Sequence, residues 1–156
     1  MTYQEYRQRE EKVANELPIF FAFSESQLVD ALKKRGYETL EAAKGQVVRV
    51  GQSGALCLKK DVDTVKAYFN RPKQLPELMK EEAFAVEAFE YEMENHEYAI
   101  NYYQGDWDVC SCFCNCEYEE DKDWQDYLRE GGYDDNVLGY FKKALSIYRE
   151  KSAEWY

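Results

Sequence analysis

The prediction of the fold starts from Glu77–His96, which reads ELMKEEAFAVEAFEYEMENH. Pro76 precedes it, and apolar residues recur within it at intervals of three or four. That spacing is typical of an amphipathic helix whose apolar face packs on a core. We therefore predict a long helix over about residues 77–96. Its apolar face would consist of Met79, Ala83, Val86, Phe89 and Met93.

A second stripe of this helix is acidic. Four glutamates stand at positions i, i+3, i+7 and i+10, which places their carboxylates along one side of a helix. They are Glu87, Glu90, Glu94 and Glu97. The acidity continues along the chain, because nineteen acidic residues stand against three basic ones between Glu77 and Asp135. The whole chain has a formal net charge of −11, so the excess negative charge is confined to the acidic region 77–135.

An acidic surface of this kind has two explanations. One is a solvated face that keeps the protein soluble. The other is a surface complementary to a strongly basic partner, such as the groove of a nucleic-acid-binding protein. The segregation of charge favours the second explanation and argues against direct binding of nucleic acid. The candidate contact residues are Glu87, Glu90, Glu94, Glu97, Asp106, Asp108, Glu117, Glu119, Glu120, Asp121 and Asp123.

The residues before the long helix predict helices beside one β-hairpin. Residues 2–15 are typical of a polar helix, and Ser24 matches the N-cap of a second helix that stops at Gly36. Residues 47–50 and 55–58 are apolar runs on either side of a glycine-bracketed turn, which predicts a hairpin.

The residues after the long helix predict a second hairpin and two closing helices. Residues 98–103 would pair with residues 107–113 across a turn at Gly105. The first closing helix would cover about residues 123–130, and the second would begin near Asp134 or Asp135. The last helix would bury Val137, Phe141, Ala144 and Tyr148. We therefore predict an α+β fold, with a single domain over residues 1–156 in which about five or six helices surround two small β-hairpins.

Cysteine stands at every second position from Cys110 to Cys116, and we call these four residues the cysteine ladder. They are Cys110, Cys112, Cys114 and Cys116. On a strand the four sulfurs would share one side and pack in the core as small apolar groups. Redox sensing and zinc binding are the alternatives. One strand cannot wrap four ligands around one ion, so zinc would need a loop and outside ligands, for which Cys57 and His96 are candidates. We expect no cofactor, with zinc as the alternative.

Several function classes lack their sequence signals. The chain has no G-x-S-x-G, no phosphate-binding glycine loop and no H-E-x-x-H, so we expect no enzyme activity. The longest apolar run, Leu17–Phe23, contains Pro18 and is far shorter than the roughly 20 residues of a membrane-spanning helix. Five cysteines without an N-terminal export signal indicate reduced thiols. We therefore expect a cytoplasmic protein that does not bind membranes.

Four stretches carry a resemblance to other proteins. They are LPIFFAFS at 17–24, NHEYAI at 95–100, GDWDV at 105–109 and YLREGGY at 127–133. Together they resemble a family of small uncharacterised proteins encoded by tailed bacteriophages, prophages and gut bacteria. The resemblance covers most of the chain and implies no assigned chemistry for any residue.

The origin that this resemblance implies favours a binding function. Small acidic phage proteins without catalytic motifs include many that block host defences, anti-CRISPR proteins among them. Our leading hypothesis is a non-catalytic protein in the host cytoplasm that inhibits a basic, nucleic-acid-handling defence factor with an acidic, nucleic-acid-mimicking surface. One alternative is a small metal-binding or redox-responsive protein that uses the cysteine ladder. Another is a phage housekeeping domain that binds a ligand.

Overall fold

Helices and one small antiparallel sheet make up the computed structural model, which describes residues 1–154. The helices are α1 (Tyr3–Asn15), α2 (Glu25–Lys33), α3 (Val62–Asn70), α4 (Leu75–Leu78), α5 (Glu82–Asn95), α6 (Gly105–Cys110), α7 (Trp124–Glu130) and α8 (Asp135–Ser152). The strands are β1 (Ile19–Phe21), β2 (Val47–Val50) and β3 (Ala55–Leu58), and a 3₁₀ turn covers Lys59–Asp61. The fold class is α+β, as the sequence predicted.

The chain divides into two compact units. Residues Glu10–Pro72 form one, which we call the sheet unit. Met1–Arg9 together with the residues from Lys73 onward form the other, which we call the helical unit. The single domain over residues 1–156 stays a prediction, and its last two residues lie outside the described ones.

The sheet unit contains the hairpin that the sequence predicted. Strands β2 and β3 pair antiparallel with Val50 opposite Ala55, and β1 adds to the other edge of β3. The turn needs glycine because Gly51 and Gly54 have φ angles of 60° and 82°, which side chains disfavour. The Ser24 cap is also confirmed, since its hydroxyl accepts a hydrogen bond from the Gln27 amide at 3.2 Å.

The helical unit is built around α5 and α8. The predicted stripe of α8 is confirmed, because Val137, Phe141, Ala144 and Tyr148 are all buried. Phe141 joins the two helices, with its ring 5.0 Å from that of Phe89. None of the helices within residues 1–154 is long and apolar enough to cross a membrane.

The long predicted helix is shorter in the structure, and its buried face is rotated. Residues 75–78 form the separate α4, and α5 begins only at Glu82. Ala83 is exposed and Val86 is half-buried. The buried residues of α5 are Phe84, Ala85, Ala88, Phe89, Glu92 and Met93. The helix is therefore rotated so that the larger Phe84, in place of Ala83, lies in the core. The same rotation buries Glu92, which lies on the same face of the helix.

The second predicted hairpin is wrong. Residues 105–110 form α6 instead, and its helical bonding continues to the Cys114 amide, which donates to the Cys110 carbonyl at 3.1 Å. The helical conformation buries Val109, Cys110 and Phe113 together, whereas on a strand the adjacent residues Val109 and Cys110 would point to opposite faces. It also brings the side chain of Asp108 within 2.7 Å of the Asn101 amide. The cysteine ladder is thus not a strand.

Candidate metal site

Glu92 is a carboxylate on the buried face of α5, with only 4% of its surface exposed. Its Oε1 atom accepts a hydrogen bond from the Tyr3 hydroxyl at 2.8 Å. The Arg7 guanidinium lies 3.9 Å from the same oxygen. A buried carboxylate needs such partners, because an unpaired charge is costly to take out of water. Residues of α1 therefore hold one of the two oxygens of Glu92.

The other oxygen, Oε2, faces His96 and Cys112. It lies 3.3 Å from Nε2 of His96 and 3.4 Å from Sγ of Cys112. The Sγ and Nε2 atoms are 3.5 Å apart. Within residues 1–154, these are the only three side chains of metal-ligand type whose ligand atoms all lie within 4.8 Å of one another.

Local structure explains why the three atoms meet. His96 is the C-cap of α5, one helical turn after Glu92, so both side chains lie on the same side of the helix. Cys112 follows α6, which packs against α5, and its sulfur therefore lies close to His96. At Glu97 the connection between the two helices has a φ angle of 50°, a left-handed conformation that ends α5.

The spacing of the three ligand atoms matches that around a tetrahedral zinc ion. Bonds of about 2.3 Å to sulfur and about 2.0–2.2 Å to nitrogen or oxygen place neighbouring ligands about 3.3–3.6 Å apart. The observed distances of 3.3, 3.4 and 3.5 Å lie in that range. The spacing is thus compatible with zinc bound by these three side chains and a fourth coordination position left open.

Cys112 is protonated at neutral pH when no cation is bound. Burial raises the pKa of its thiol to about 12, and the neighbouring Glu92 carboxylate contributes to the rise. The thiol then donates toward Oε2 of Glu92. A metal ion between these atoms would lower the pKa of the Cys112 thiol, because coordination favours the thiolate.

The other cysteines do not join this group. Cys110 is buried, and its sulfur lies 3.8 Å from the Trp124 carbonyl. The sulfurs of Cys114 and Cys116 are 3.4 Å apart. Burial raises the pKa of the Cys114 thiol to about 12, with a contribution from Cys116. Of the two outside ligands that the sequence suggested, His96 meets the ladder at Cys112, whereas Cys57 lies on β3 in the sheet unit.

Six of the eleven predicted contact carboxylates are bound within the chain. They are Glu87, Glu90, Asp106, Asp108, Glu119 and Asp123. Glu87 accepts from the amides of Tyr3 and Gln4 and so caps α1. Asp123 caps α7 in the same way. Five of these carboxylates stabilise helix ends and loops, and Glu90 joins α5 to α8 through Lys151; sequence spacing alone did not indicate these roles.

The remaining five carboxylates face solvent. Glu94, Glu97, Glu117, Glu120 and Asp121 are exposed, and their side chains make no hydrogen bond or ion pair within the described residues. Three of the five lie between Cys116 and Lys122, in a segment without regular secondary structure. The available acidic surface is therefore smaller than the predicted one.

The sequence interpretation missed Glu92. Its signal was present, because Glu92 stands three residues after Phe89 and four before His96, on the apolar side of the helix. Glutamate is almost never fully buried unless it is paired, so a glutamate at that position indicates a buried partner.

The residues around this site fall within a known family model. The model described as Family of unknown function (DUF7659) matches residues 2–129, which include Tyr3, Glu92, His96 and Cys112. No curated protein and no solved structure matches the chain. Because the match covers most of its length, the chain belongs to this family of unknown function.

Proposed function

We propose that this protein is a small metal-binding protein that holds one zinc ion through Glu92, His96 and Cys112. The observation that carries the proposal is the spacing of the three ligand atoms, from 3.3 to 3.5 Å. A carboxylate and a thiolate supply two negative charges, which balance the charge of the ion. Zinc suits this set of ligands better than magnesium or calcium, which take oxygen ligands.

The surroundings of the ligands support the same proposal. Metal ligands are usually oriented by further hydrogen bonds, and Tyr3 provides one to the far oxygen of Glu92. His96 is only half-buried, which leaves the fourth coordination position open to water or to a group from another molecule.

The test is metal analysis of protein purified under reductant, followed by zinc titration of chelator-treated protein. We expect about one zinc ion per chain, bound with 1:1 stoichiometry. Replacing zinc by cobalt should give a thiolate-to-cobalt charge-transfer band, which reports directly on the sulfur ligand. Cys112→Ser and His96→Gln should lose both signals.

The matched control is Cys116→Ser, because Cys116 is a half-buried cysteine outside the three-ligand group. It should bind zinc as the wild type does. Equal loss of zinc in Cys116→Ser and Cys112→Ser would contradict the site, and so would a folded protein with no affinity for zinc. The short distances would then reflect hydrogen bonds between a thiol, a carboxylate and an imidazole.

A second proposal is the inhibition of a basic, nucleic-acid-handling host defence factor, with an anti-CRISPR role as the specific form. Its support is the confinement of the excess negative charge to residues 77–135, together with the exposure of Glu94, Glu117, Glu120 and Asp121. Exposed carboxylates of one sign speed the encounter with a basic protein and compete with nucleic acid for its cations.

The inhibition can be measured as phage plaquing on bacteria that carry an active guided nuclease. Expression of the protein should restore plaquing, and reversal of the four exposed charges to lysine should abolish the effect. The matched control reverses four exposed glutamates outside the acidic region. They are Glu11, Glu16, Glu38 and Glu41. Failure to restore plaquing against any guided nuclease would contradict the anti-CRISPR form, and equal loss in both variants would contradict the role of the acidic surface.

A further inference from the structure

A cleft of about 470 Å³ opens in the helical unit. Its walls come from the connection between α5 and α6, the segment before α7 and the second half of α8. Aromatic rings make up much of the lining. They include those of Tyr102, Tyr103, Trp107 and Tyr118. The volume is in the range of small-molecule sites, which also combine aromatic walls with a few polar groups.

One wall of the cleft is fixed by internal contacts. The Trp107 indole donates to the Cys116 carbonyl at 3.0 Å, and its ring packs edge-to-face on Tyr118 with centroids 6.0 Å apart. The Tyr118 hydroxyl in turn donates to the Tyr103 carbonyl at 3.4 Å. These bonds hold the rings in position before any ligand arrives.

Two further rings at the cleft are left open to solvent. Tyr102 is 85% exposed and Tyr103 is 90% exposed. Neither hydroxyl has a partner within the described residues. Because these two adjacent tyrosines are so exposed, their rings bury little apolar surface and add little to the stability of the fold. They can, however, offer two ring faces to a ligand.

The charged groups of the cleft favour a cation. The Lys122 ammonium is bound by the carboxylates of Glu119 and Glu130 and is therefore neutralised. Glu120 is exposed and has no partner in the described part of the chain. Arg149 contributes one positive charge at the α8 side, but the surrounding residues 77–135 carry a large excess of negative charge. Such a field raises the local concentration of cations.

The geometry points to a binding site for an organic cation, with an alkylammonium group seated against the rings of Tyr102, Tyr103 and Trp107 and its charge facing Glu120. The faces of aromatic rings attract ammonium groups, and quaternary ammonium ligands are recognised by cages of such rings. The ammonium group can belong to a free amine or to a basic side chain of a polypeptide. The cleft shares no residue with the zinc ligands, so a result that contradicts one site does not bear on the other.

Calorimetric titration with choline tests the chemistry of the site. Its uncharged isostere, 3,3-dimethyl-1-butanol, has the same shape without the positive charge. We expect choline to bind and the isostere to bind at least about fivefold more weakly, because the attraction to the rings requires the charge. Binding should be retained in Cys112→Ser, which lacks a zinc ligand.

Two cleft variants and one control locate the site. Tyr103→Ala and Glu120→Gln should each weaken choline binding about three- to tenfold, since each removes one cation contact. Both side chains are exposed, so neither change should unfold the protein. The control is Phe23→Ala, which removes a ring that is 79% exposed in the sheet unit and should leave binding unchanged.

Two further titrations identify the source of the cation, with spermidine as a free amine and with a short peptide rich in lysine and arginine. Tighter binding of the peptide would assign the site to a protein partner, and tighter binding of spermidine would assign it to a free amine; either result supports the site. Equal binding of the uncharged isostere overturns the proposal. So does binding of adenosine monophosphate in place of the amines, or no binding of any amine at about 10 mM.

Discussion

The hydroxyl of Tyr3 donates to Oε1 of Glu92 at 2.8 Å, and both residues are buried. Tyr3 lies at the start of α1 and Glu92 lies in α5, so the bond joins residues 89 positions apart in the chain. The second carboxylate oxygen accepts a hydrogen bond from the Asn95 side chain at 3.3 Å and faces His96 and Cys112. The two oxygens of Glu92 thus have separate roles, one in holding α1 and one in the candidate metal site.

We expect Tyr3→Phe to weaken both roles. Loss of a hydrogen bond to a buried carboxylate should lower the free energy of unfolding by about 1.5–3 kcal/mol. Loss of the bond that orients a metal ligand should lower zinc affinity by about 10- to 100-fold. Urea unfolding measures the first effect, and competition with a zinc chelator measures the second.

The control for this prediction is Tyr91→Phe. Tyr91 lies on α5 next to Glu92 and packs its ring against Tyr3, but its hydroxyl makes no hydrogen bond within the described residues. Its removal should change neither stability nor zinc affinity. If Tyr3→Phe binds zinc as tightly as Tyr91→Phe does, Tyr3 has only a structural role.

Zinc affinity should rise with pH. Because burial and Glu92 raise the pKa of the Cys112 thiol to about 12, the apo protein holds the proton throughout the neutral range. Binding must then release about one proton per zinc ion, and affinity should increase up to about tenfold per pH unit between about pH 7 and pH 8.5. Calorimetry in buffers of different ionisation enthalpy counts the protons. An affinity independent of pH would remove Cys112 from the ligands.

Some elements of the fold could be predicted because their signals are local. Ser24 accepts from an amide three residues away, and the turn between β2 and β3 is closed by Gly51 and Gly54. The stripe of α8 repeats every three or four residues over about three turns. In each case residues close in the sequence specify the structure, so the pattern can be recognised without knowledge of distant contacts.

The region from Tyr98 to Cys116 could not be predicted in the same way. Apolar residues at 107, 109 and 113 fit a strand, but 109, 110 and 113 fit a helix equally well, and short segments of this kind are ambiguous by periodicity. Packing of Phe113 against Phe89 decides for the helix, with ring centroids 4.8 Å apart. The candidate metal site depends on this same long-range contact, because it brings Cys112 beside His96.

Gly131 should tolerate no larger residue. A Cβ atom at this position would lie 2.5 Å from the Cβ atom of Cys114, a distance that side chains do not adopt. We expect Gly131→Ala to lower the free energy of unfolding by about 1–3 kcal/mol, as overpacking does.

The matched control is Gly139→Ala, within α8. Apart from the adjoining backbone of α8 itself, a Cβ atom there would meet nothing within 4 Å, so alanine should stabilise the helix by about 0.5–1 kcal/mol. Urea unfolding of the two variants measures both changes. Effects of the same sign would show that the close approach of Cys114 and Gly131 is not what limits the position.

Buried tyrosines should make the protein lose stability in alkali. The Tyr133 hydroxyl donates to the Phe113 carbonyl at 2.7 Å, and burial raises the pKa of Tyr133 well above its ordinary value of 10.0. Above about pH 10 the Tyr133 hydroxyl loses its proton in the unfolded chain but keeps it in the folded chain. The stability that Tyr133 contributes is therefore full below about pH 10 and falls as pH rises further, by about 1 kcal/mol at about pH 10.8.

The variant Tyr133→Phe separates this effect from the hydrogen bond. At about pH 8 it should be less stable than the wild type by about 1–3 kcal/mol, because the buried Phe113 carbonyl loses its donor. Between about pH 8 and pH 10.8, however, it should lose about 1 kcal/mol less stability than the wild type, since one ionisable group is gone. Tyr103→Phe, at a residue that is 90% exposed, should follow the wild type at both pH values. If Tyr133→Phe and the wild type lose the same stability between the two pH values, Tyr133 ionises equally in the folded and the unfolded chain, and its burial does not act on its proton.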